Sequence, residues 1–265
     1  MPKASIIICS MNRPKSLERC IDSLKNQTCQ DYEIILCQEE GNLVELKDKG
    51  WRQAKGEICI WLDDDVVCEP YWLENILKTF ESLPSIVGIT GPTYVPLKLV
   101  NNRDIFKYRE GLIGRFYNWF FLEGKRHFPG IITNCGANTY GANFSTLISH
   151  RLHFVDFLEP SQFAVRKTIM EYVGGFDLEY KGVAEWCDVD LCYRIKEYGQ
   201  LLYNHRVVVD HYPEQDSIYA KRLDTVSRYK NYMRFAKRWV KPSFKHYLYR
   251  GFLKTYFWAK GKGLI

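Results

Sequence analysis

An α/β fold built on a doubly wound, Rossmann-like and mostly parallel sheet is what this sequence predicts, on three observations. Short β-branched and apolar runs alternate with helical apolar periodicity through the first ninety residues. An acidic triplet closes one of those runs, at the strand end where such sheets bind ligands. The 265 residues are 46% hydrophobic and 15% aromatic, which is core enough for one large domain or two small ones and excludes disorder.

Taken in order, Ser5–Cys9 reads as a β-branched strand. Asn12-Arg13-Pro14 then opens a helix with proline in its first turn, and Leu17, Cys20, Ile21 and Leu24 share one face. Tyr32–Cys37 is a second buried strand, Leu43–Ala54 a helix and Glu57–Leu62 a third strand. Beyond Asp63-Asp64-Asp65, the segment Pro70–Phe80 lines up Trp72, Leu73, Ile76, Leu77 and Phe80 on one helical face. Ile86–Thr90 is a fourth strand, stopped by Gly91-Pro92. Helices between regularly spaced strands imply parallel βαβ units with helices on both sheet faces.

Residues 95–150 read as an insertion with one helix and loops. Order returns with a strand at Phe154–Leu158, a helix at Lys167–Val173, and a Gly174-Gly175-Phe176-Asp177 turn. The helix Trp186–Tyr198 follows, ended by Gly199. Strands at Leu201–Tyr203 and Val207–Val209 come next, with His211 just past the second. Two amphipathic helices separated near Pro242 complete the chain.

Charge is unevenly spread. From Ser217 to Ile265 there are 13 Lys or Arg and one acidic residue, whereas the rest of the chain carries 24 against 30. A basic tail on an acidic body points to a polyanion partner. The nine cysteines form no C-x-x-C pair and several lie in apolar runs, as expected of buried thiols in a reducing cytoplasm. No apolar run reaches the roughly 18 residues of a membrane-spanning helix. The opening Met1–Ser10 is too short for a signal peptide.

Two acidic segments could carry chemistry. Asp63, Asp64 and Asp65 repel one another at a strand end unless a cation sits among them, and that density of oxygen suits Mg²⁺ or Mn²⁺. The alternative is a solvated turn that caps the next helix. Glu185, Asp188 and Asp190 lie at a helix start, either as ordinary first-turn acids or with one of them projecting into a cleft as a general base.

Together the segments resemble the family-2 glycosyltransferases of GT-A fold. The matching pieces are Ile6-Ile7-Ile8-Cys9-Ser10-Met11-Asn12-Arg13-Pro14, Ala54-Lys55-Gly56-Glu57-Ile58 and Leu62-Asp63-Asp64-Asp65. Further on come Phe163-Ala164-Val165-Arg166-Lys167, Val173-Gly174-Gly175-Phe176-Asp177, Asp188-Val189-Asp190-Leu191-Cys192-Tyr193-Arg194 and His211. The resemblance covers residues 3–215, most thinly over 95–150. It implies a catalytic domain over 1–216 that inverts a sugar while moving it from a nucleoside-diphosphate donor, UDP- or dTDP-linked, to an acceptor hydroxyl. It maps Asp63 and Asp65 onto the D-x-D motif that binds the ribose and the Mn²⁺ or Mg²⁺ ion, with Asp64 between them, and His211 onto the metal site. Asp188 maps onto the catalytic base. Ser10, Asn12 and Arg13 of the first loop, Gln38 and Glu39 after the second strand, and Lys47 near the diphosphate complete the donor site. For His211 the alternative is a strand-end histidine without a ligand role; for Lys47, an exposed helix lysine.

The chain departs from the family pattern at several places. Cys187 stands where a glutamate usually precedes the base, Met11 replaces a base-stacking aromatic, Gln38 an aspartate that reads the nucleobase, and Gln162 an asparagine. Ser10-Met11-Asn12-Arg13-Pro14 lacks the glycines of a sugar nucleotidyltransferase. The rival from another class is a catalytically silent nucleotide-sugar-binding or polybasic nucleic-acid-binding protein on the same scaffold.

The tail, 217–265, lies outside the match. Its basic and aromatic residues fit an interfacial anchor on the inner face of the cytoplasmic membrane, an RNA-binding surface, or helices that pack on the catalytic domain. A lipid-linked glycan acceptor requires the first, so the expectation is an anionic membrane surface as partner and no nucleic acid.

Overall fold

The computed structural model describes residues 1–39, 41–95, 111–139, 151–212 and 224–263. Strand β1 (Ala4–Cys9) lies between β2 (Tyr32–Cys37) and β3 (Ile58–Asp63), parallel to both. Both of its faces are covered. Ile6 and Ile8 pack with Leu17, Cys20 and Leu24 of α1 (Pro14–Lys25) and with Trp72 and Ile76 of α3 (Trp72–Ser82). Ile7 packs with Val44, Leu46 and Trp51 of α2 (Leu43–Gln53) on the other side. That double burial is why the strand reads as a continuous apolar run rather than an alternation.

Among the described residues β5 (Ile86–Thr90), β7 (His153–Phe154), β8 (Gln162–Arg166) and β9 (Gln200–Tyr203) complete a seven-stranded sheet of order β2-β1-β3-β8-β5-β9-β7. Strand β8 inserts antiparallel between β3 and β5, a strand that the sequence reading did not anticipate at this position. Strand β9 runs parallel to β5, and β7 closes the edge. The expected strand Phe154–Leu158 thus shrinks to two residues. Beyond it the chain turns inward, burying Val155, Phe157 and Leu158, and the Asp156 amide donates to the Gly130 carbonyl instead of a ladder.

A second, three-stranded sheet has the order β4-β10-β6, with β4 (Val66–Cys68), β10 (Val209–His211) and β6 (Thr93–Tyr94). The strand expected at Val207–Val209 is displaced to β10 because it pairs with β4 in the register His211 to Val66. Within the 95–150 region α4 (Leu112–Phe120) is the expected helix; residues 96–110 and 140–150 lie outside the described set.

Helices α5 (Lys167–Val173) and α6 (Cys187–Ile195) flank the glycine turn, and α6 is shorter at both ends than the sequence predicts. Helices α7 (Thr225–Trp239) and α8 (Phe244–Gly261) are the two expected tail helices, broken around Pro242; residues 217–223 lie outside the described set. They are packed, not free. Tyr232 and Phe235 of α7 are fully buried, and Trp186 lies against both, with ring centroids at 5.1 and 5.0 Å.

The glycine turn requires glycine twice. Gly174 and Gly175 adopt φ of 75° and 88°, and a Cβ on Gly175 would sit 2.2 Å from Asp48 Oδ1. That carboxylate accepts from the Phe176 amide at 2.9 Å and from Trp51 Nε1 at 2.8 Å. Gly175→Ala is therefore expected to destabilise the chain by at least about 1–3 kcal/mol, read as a lower urea midpoint, whereas Gly124→Ala, with open space around it, costs less.

Candidate active site

The parallel register brings three strand ends to one rim. Cys9 faces both Cys37 and Asp63, so Ser10, Gln38 and Asp64 follow at the same level. Ser10 is buried there, while Gln38 and Glu39 are exposed and Glu39 accepts from Lys49 at 2.6 Å. Asn12 takes a left-handed conformation at φ 55°, which turns the chain into α1. Arg13 is directed back onto the acidic triplet: its guanidinium pairs with Asp64 and, at 3.0 Å, with Asp65 Oδ2.

The triplet is not a solvated turn, for Asp64 and Asp65 are both buried. Burial pushes Asp64 up to about 6, against the pull of Ser10 and Arg13. Burial, then the charge of Asp65, pushes Asp63 up to about 7, with Lys47 and His211 pulling the other way. Burial acts on Asp65 too, yet His211 and Arg13 hold its carboxyl below the ordinary value. His211 Nε2 stands 3.2 Å from Asp65 Oδ1, brought there by the β4–β10 pairing and by the Tyr212 amide donating to the Asp65 carbonyl at 2.8 Å. Among the described residues no three His, Cys, Asp or Glu side chains form a metal cluster by themselves.

Lys47 is not an exposed helix lysine. Its Nζ donates to Asp188 Oδ1 at 2.8 Å, both residues are buried, and it lies 5.7 Å over the Phe163 ring. Trp61, stacked on Phe163 at 4.8 Å, donates to the Lys47 carbonyl and fixes the backbone from which the ammonium extends. The charge of Lys47 also pulls the Asp63 carboxyl down, so one cation acts on both the triplet and the expected base.

The three acids at the start of α6 are sorted by their partners. Asp188 faces Lys47; Glu185 accepts from Arg228 Nε of α7 at 2.7 Å; Asp190 accepts from Arg194 Nε at 3.0 Å and from Trp239 Nε1 of α7 at 2.8 Å. Asp188 is thus paired with a cation of α2, the helix that follows β2 of the rim. Just before it, Ala184 and Trp186 have φ of 52° and 76°, left-handed conformations that cost about 1–3 kcal/mol each. The aromatic contacts of Trp186 with α7 hold that bend. The roles of Arg228 and Trp239 were missed in the sequence. The signal was there as charge complementarity between the basic tail and Asp177, Glu185 and Asp190, the first of which accepts from Nε and Nη2 of Arg234.

The raised Asp63 carboxyl sets a sign. The native state binds that proton more tightly than the unfolded chain, so Asp63 costs stability as pH rises from its ordinary range through about 7. Asp63→Asn, which cannot ionise, is expected to gain thermal stability relative to the parent between pH 5 and pH 8 in EDTA, by scanning calorimetry.

The family model described as Glycosyl transferase family 2 matches residues 5–40 and 38–141. A glucosyl-dolichyl phosphate glucuronosyltransferase of Haloferax volcanii is 25% identical over 171 residues, 54% of this chain and 52% of the relative. The chain thus spans about half the length of that relative. Among solved structures, GalNAc-T7 with UDP, GalNAc and Mn²⁺ superposes with a TM-score of 0.60 at 12% identity, over 90% of this chain and 48% of the other. The Pyrobaculum calidifontis mannosyltransferase PcManGT, in complex with GDP-Man and Mn²⁺, gives 0.54 at 14% identity, over 97% and 70%. The mixed α/β architecture is therefore the GT-A fold of these glycosyltransferases, and the family match over more than half of the chain carries the assignment further: the chain belongs to glycosyl transferase family 2.

Proposed function

We propose that this chain is an inverting, divalent-metal-dependent glycosyltransferase. In this reading it moves a sugar from a UDP- or dTDP-linked donor to the hydroxyl of a lipid-linked glycan or a cell-surface polysaccharide precursor. The observation that carries the reading is Lys47, a buried ammonium paired with Asp188 and acting on Asp63. One cation joins the carboxylate expected at the donor to the carboxylate expected at the acceptor. The dolichyl-phosphate relative supports the lipid-linked acceptor.

Ser10, Asn12, Gln38 and Glu39 sit on the sheet rim where the nucleoside would lie, with the Gln38 amide able to pair with a pyrimidine edge. Arg13 holds Asp64 and Asp65 in place. Asp63, Asp65 and His211 are the side chains that would hold Mn²⁺ or Mg²⁺. A carboxylate and an imidazole 3.2 Å apart, beside an aspartate disfavoured as an anion by burial and by Asp65, are oxygen and nitrogen donors of the kind such ions take, and would have to be drawn together around the ion. When bound, the ion would neutralise the charge that develops on the leaving diphosphate.

Asp188 accepts the proton of the acceptor hydroxyl as its oxygen attacks the anomeric carbon. The bond from that carbon to the diphosphate oxygen breaks on the opposite face, and its electron pair leaves with the diphosphate. Lys47 orients Asp188 and offers a cation to the departing charge. Residues 1–216 form the catalytic domain, and the 217–265 segment holds it at the inner face of the cytoplasmic membrane; no helix among the described residues is long and apolar enough to cross one.

Asp188→Asn keeps an oxygen for Lys47 and is expected to lower kcat by about 10² or more with donor affinity little changed. Asp190→Asn and Glu185→Gln should instead lower stability, because their partners lie in α6 and α7. A large kcat loss in either, with Asp188→Asn near the parent, overturns the assignment. Lys47→Met leaves a buried carboxylate unpaired and should cost about 3–5 kcal/mol in urea denaturation, much of it recovered in the Lys47→Met/Asp188→Asn double variant. The function is tested by thermal shift against UDP-, dTDP- and GDP-sugars with Mn²⁺, Mg²⁺ or EDTA, followed by NMR of the product anomer. Metal-dependent donor binding and an inverted anomer are expected; a retained anomer, or turnover undiminished in EDTA, overturns the reading.

A further inference from the structure

Helix α4 is amphipathic the wrong way round for a soluble protein. Its solvent face is built of Leu112, Ile113, Phe116 and Trp119, exposed at 84, 70, 53 and 69%. These positions recur at helical spacing on one side, and Phe116 stacks on Phe120 at 5.4 Å, so the face is a continuous apolar stripe. Helix α8 lies alongside: Phe252 contacts the rings of Tyr117 and Phe121 at 5.5 and 5.6 Å, and Lys245 sits 5.4 Å over Phe120. Phe244, Leu248 and Phe252 follow one another at steps of four along α8, all exposed, and Tyr256 stacks on Phe252 at the next step, at 6.4 Å. Two helices thus present one apolar surface, of a kind that marks an interaction site rather than ordinary scatter.

Charge identifies what covers it. Neither helix contains an acidic residue, while Arg115, Arg250, Lys254 and Lys260 lie among the apolar positions, and Lys245 is paired at 3.4 Å with Glu123 just past the end of α4. Arg250 lies over the Tyr247 ring and Lys260 over the Tyr256 ring, at 5.6 and 5.9 Å. A second copy docked about a two-fold axis would bring these same cations against each other. Nucleic acid would gain nothing from Leu112 and Ile113, which offer no ring for a base to stack on. An anionic bilayer satisfies both components, with cations at the headgroups and aromatic and aliphatic side chains at the acyl boundary.

We propose that the outer faces of α4 and α8 form an interfacial lipid-binding surface that seats the protein on an anionic membrane, with α4, outside the basic tail, supplying the inserted apolar edge. This deepens the lipid-linked acceptor reading above and assigns α7 the opposite role, an internal brace. The surface is tied to the expected base by ring contacts. Trp186, two residues before Asp188, meets Tyr232 at 5.1 Å, Tyr232 meets Tyr249 at 5.6 Å, and Tyr249 meets Tyr117 of α4 at 6.4 Å. The inner sides of α4 and α8 thus pack, through these rings, toward the residue that precedes the start of α6.

The test is flotation of the full chain with phosphatidylcholine vesicles with and without phosphatidylglycerol, beside sedimentation velocity without lipid and donor binding by thermal shift with Mn²⁺. The full chain is expected to float with the anionic vesicles and to be only partly released by raised salt. Phe116→Ser/Trp119→Ser should weaken that binding by about a hundredfold, roughly tenfold per aromatic side chain withdrawn from the boundary, with donor binding unchanged. Lys254→Glu/Lys260→Glu should remove the salt-sensitive part. Binding equal to the parent in the aromatic variant overturns the proposal. So does a parent that ignores anionic vesicles. A parent dimer that the aromatic variant dissociates, without vesicle binding, assigns the face to a second copy instead. Because vesicle binding and donor binding are read separately, failure of the membrane surface leaves the transferase reading standing, and the reverse.

Discussion

The buried ion pair between Lys47 and Asp188 is the contact on which the arrangement of this molecule turns. Its partners come from α2 and from the start of α6, which are 141 residues apart in the chain and meet only once the sheet has formed. A pair with little access to water is costly to assemble and more costly to break from one side, so its geometry constrains both elements. Trp61 holds the Lys47 carbonyl from below and Phe163 gives the ammonium an aromatic face, so the cation is fixed by strands β3 and β8 as well as by its own helix. The glycine turn ties the same two helices further out, through Asp48 on one side and through Arg194, which donates to the carbonyls of Val173 and Gly175, on the other.

From that contact the acidic residues divide their work. Asp65 is shared between Arg13 and His211, Asp63 is left the most disfavoured as an anion, and Asp188 answers to Lys47. Glu185 and Asp190, chemically equivalent to Asp188 in the sequence, are committed to Arg228, Arg194 and Trp239. The left-handed Trp186 is what separates them. It turns its ring into α7 and thereby swings the start of α6 toward α2. Helix α7 therefore stabilises a strained bend next to the candidate base, which is more than filling space.

Charge in the tail acts at two places. Arg228 and Arg234 meet the acidic segment 177–185 and, with Lys245 on Glu123, join the basic tail to the acidic body, whereas Arg250 and Lys260 of α8 lie over the rings of Tyr247 and Tyr256. The uneven charge distribution has an internal half and an external half. Composition reports only their sum.

Much of the first half was legible because its physics is local. Ile6, Ile7 and Ile8, the proline-started α1, and the periodic faces of α2 and α3 follow from burial on one or two faces, and the acidic triplet announces itself by adjacent like charges. The antiparallel β8 was not legible: Phe163-Ala164-Val165 is a short apolar run whose place between β3 and β5 depends on partners distant in the chain. The same holds for β10, whose bounds were set by pairing with β4, and for the pairing of Lys47 with Asp188, which the resemblance had marked as the base without naming its partner. By itself the sequence determined which segments are apolar and which carboxylates are available, since hydrophobic period and like-charge repulsion act between neighbours. Only the tertiary structure decided which carboxylate meets Lys47, which tail helix is buried and which apolar stripe stays exposed, because those outcomes depend on desolvation and pairing between groups that the chain alone does not bring together.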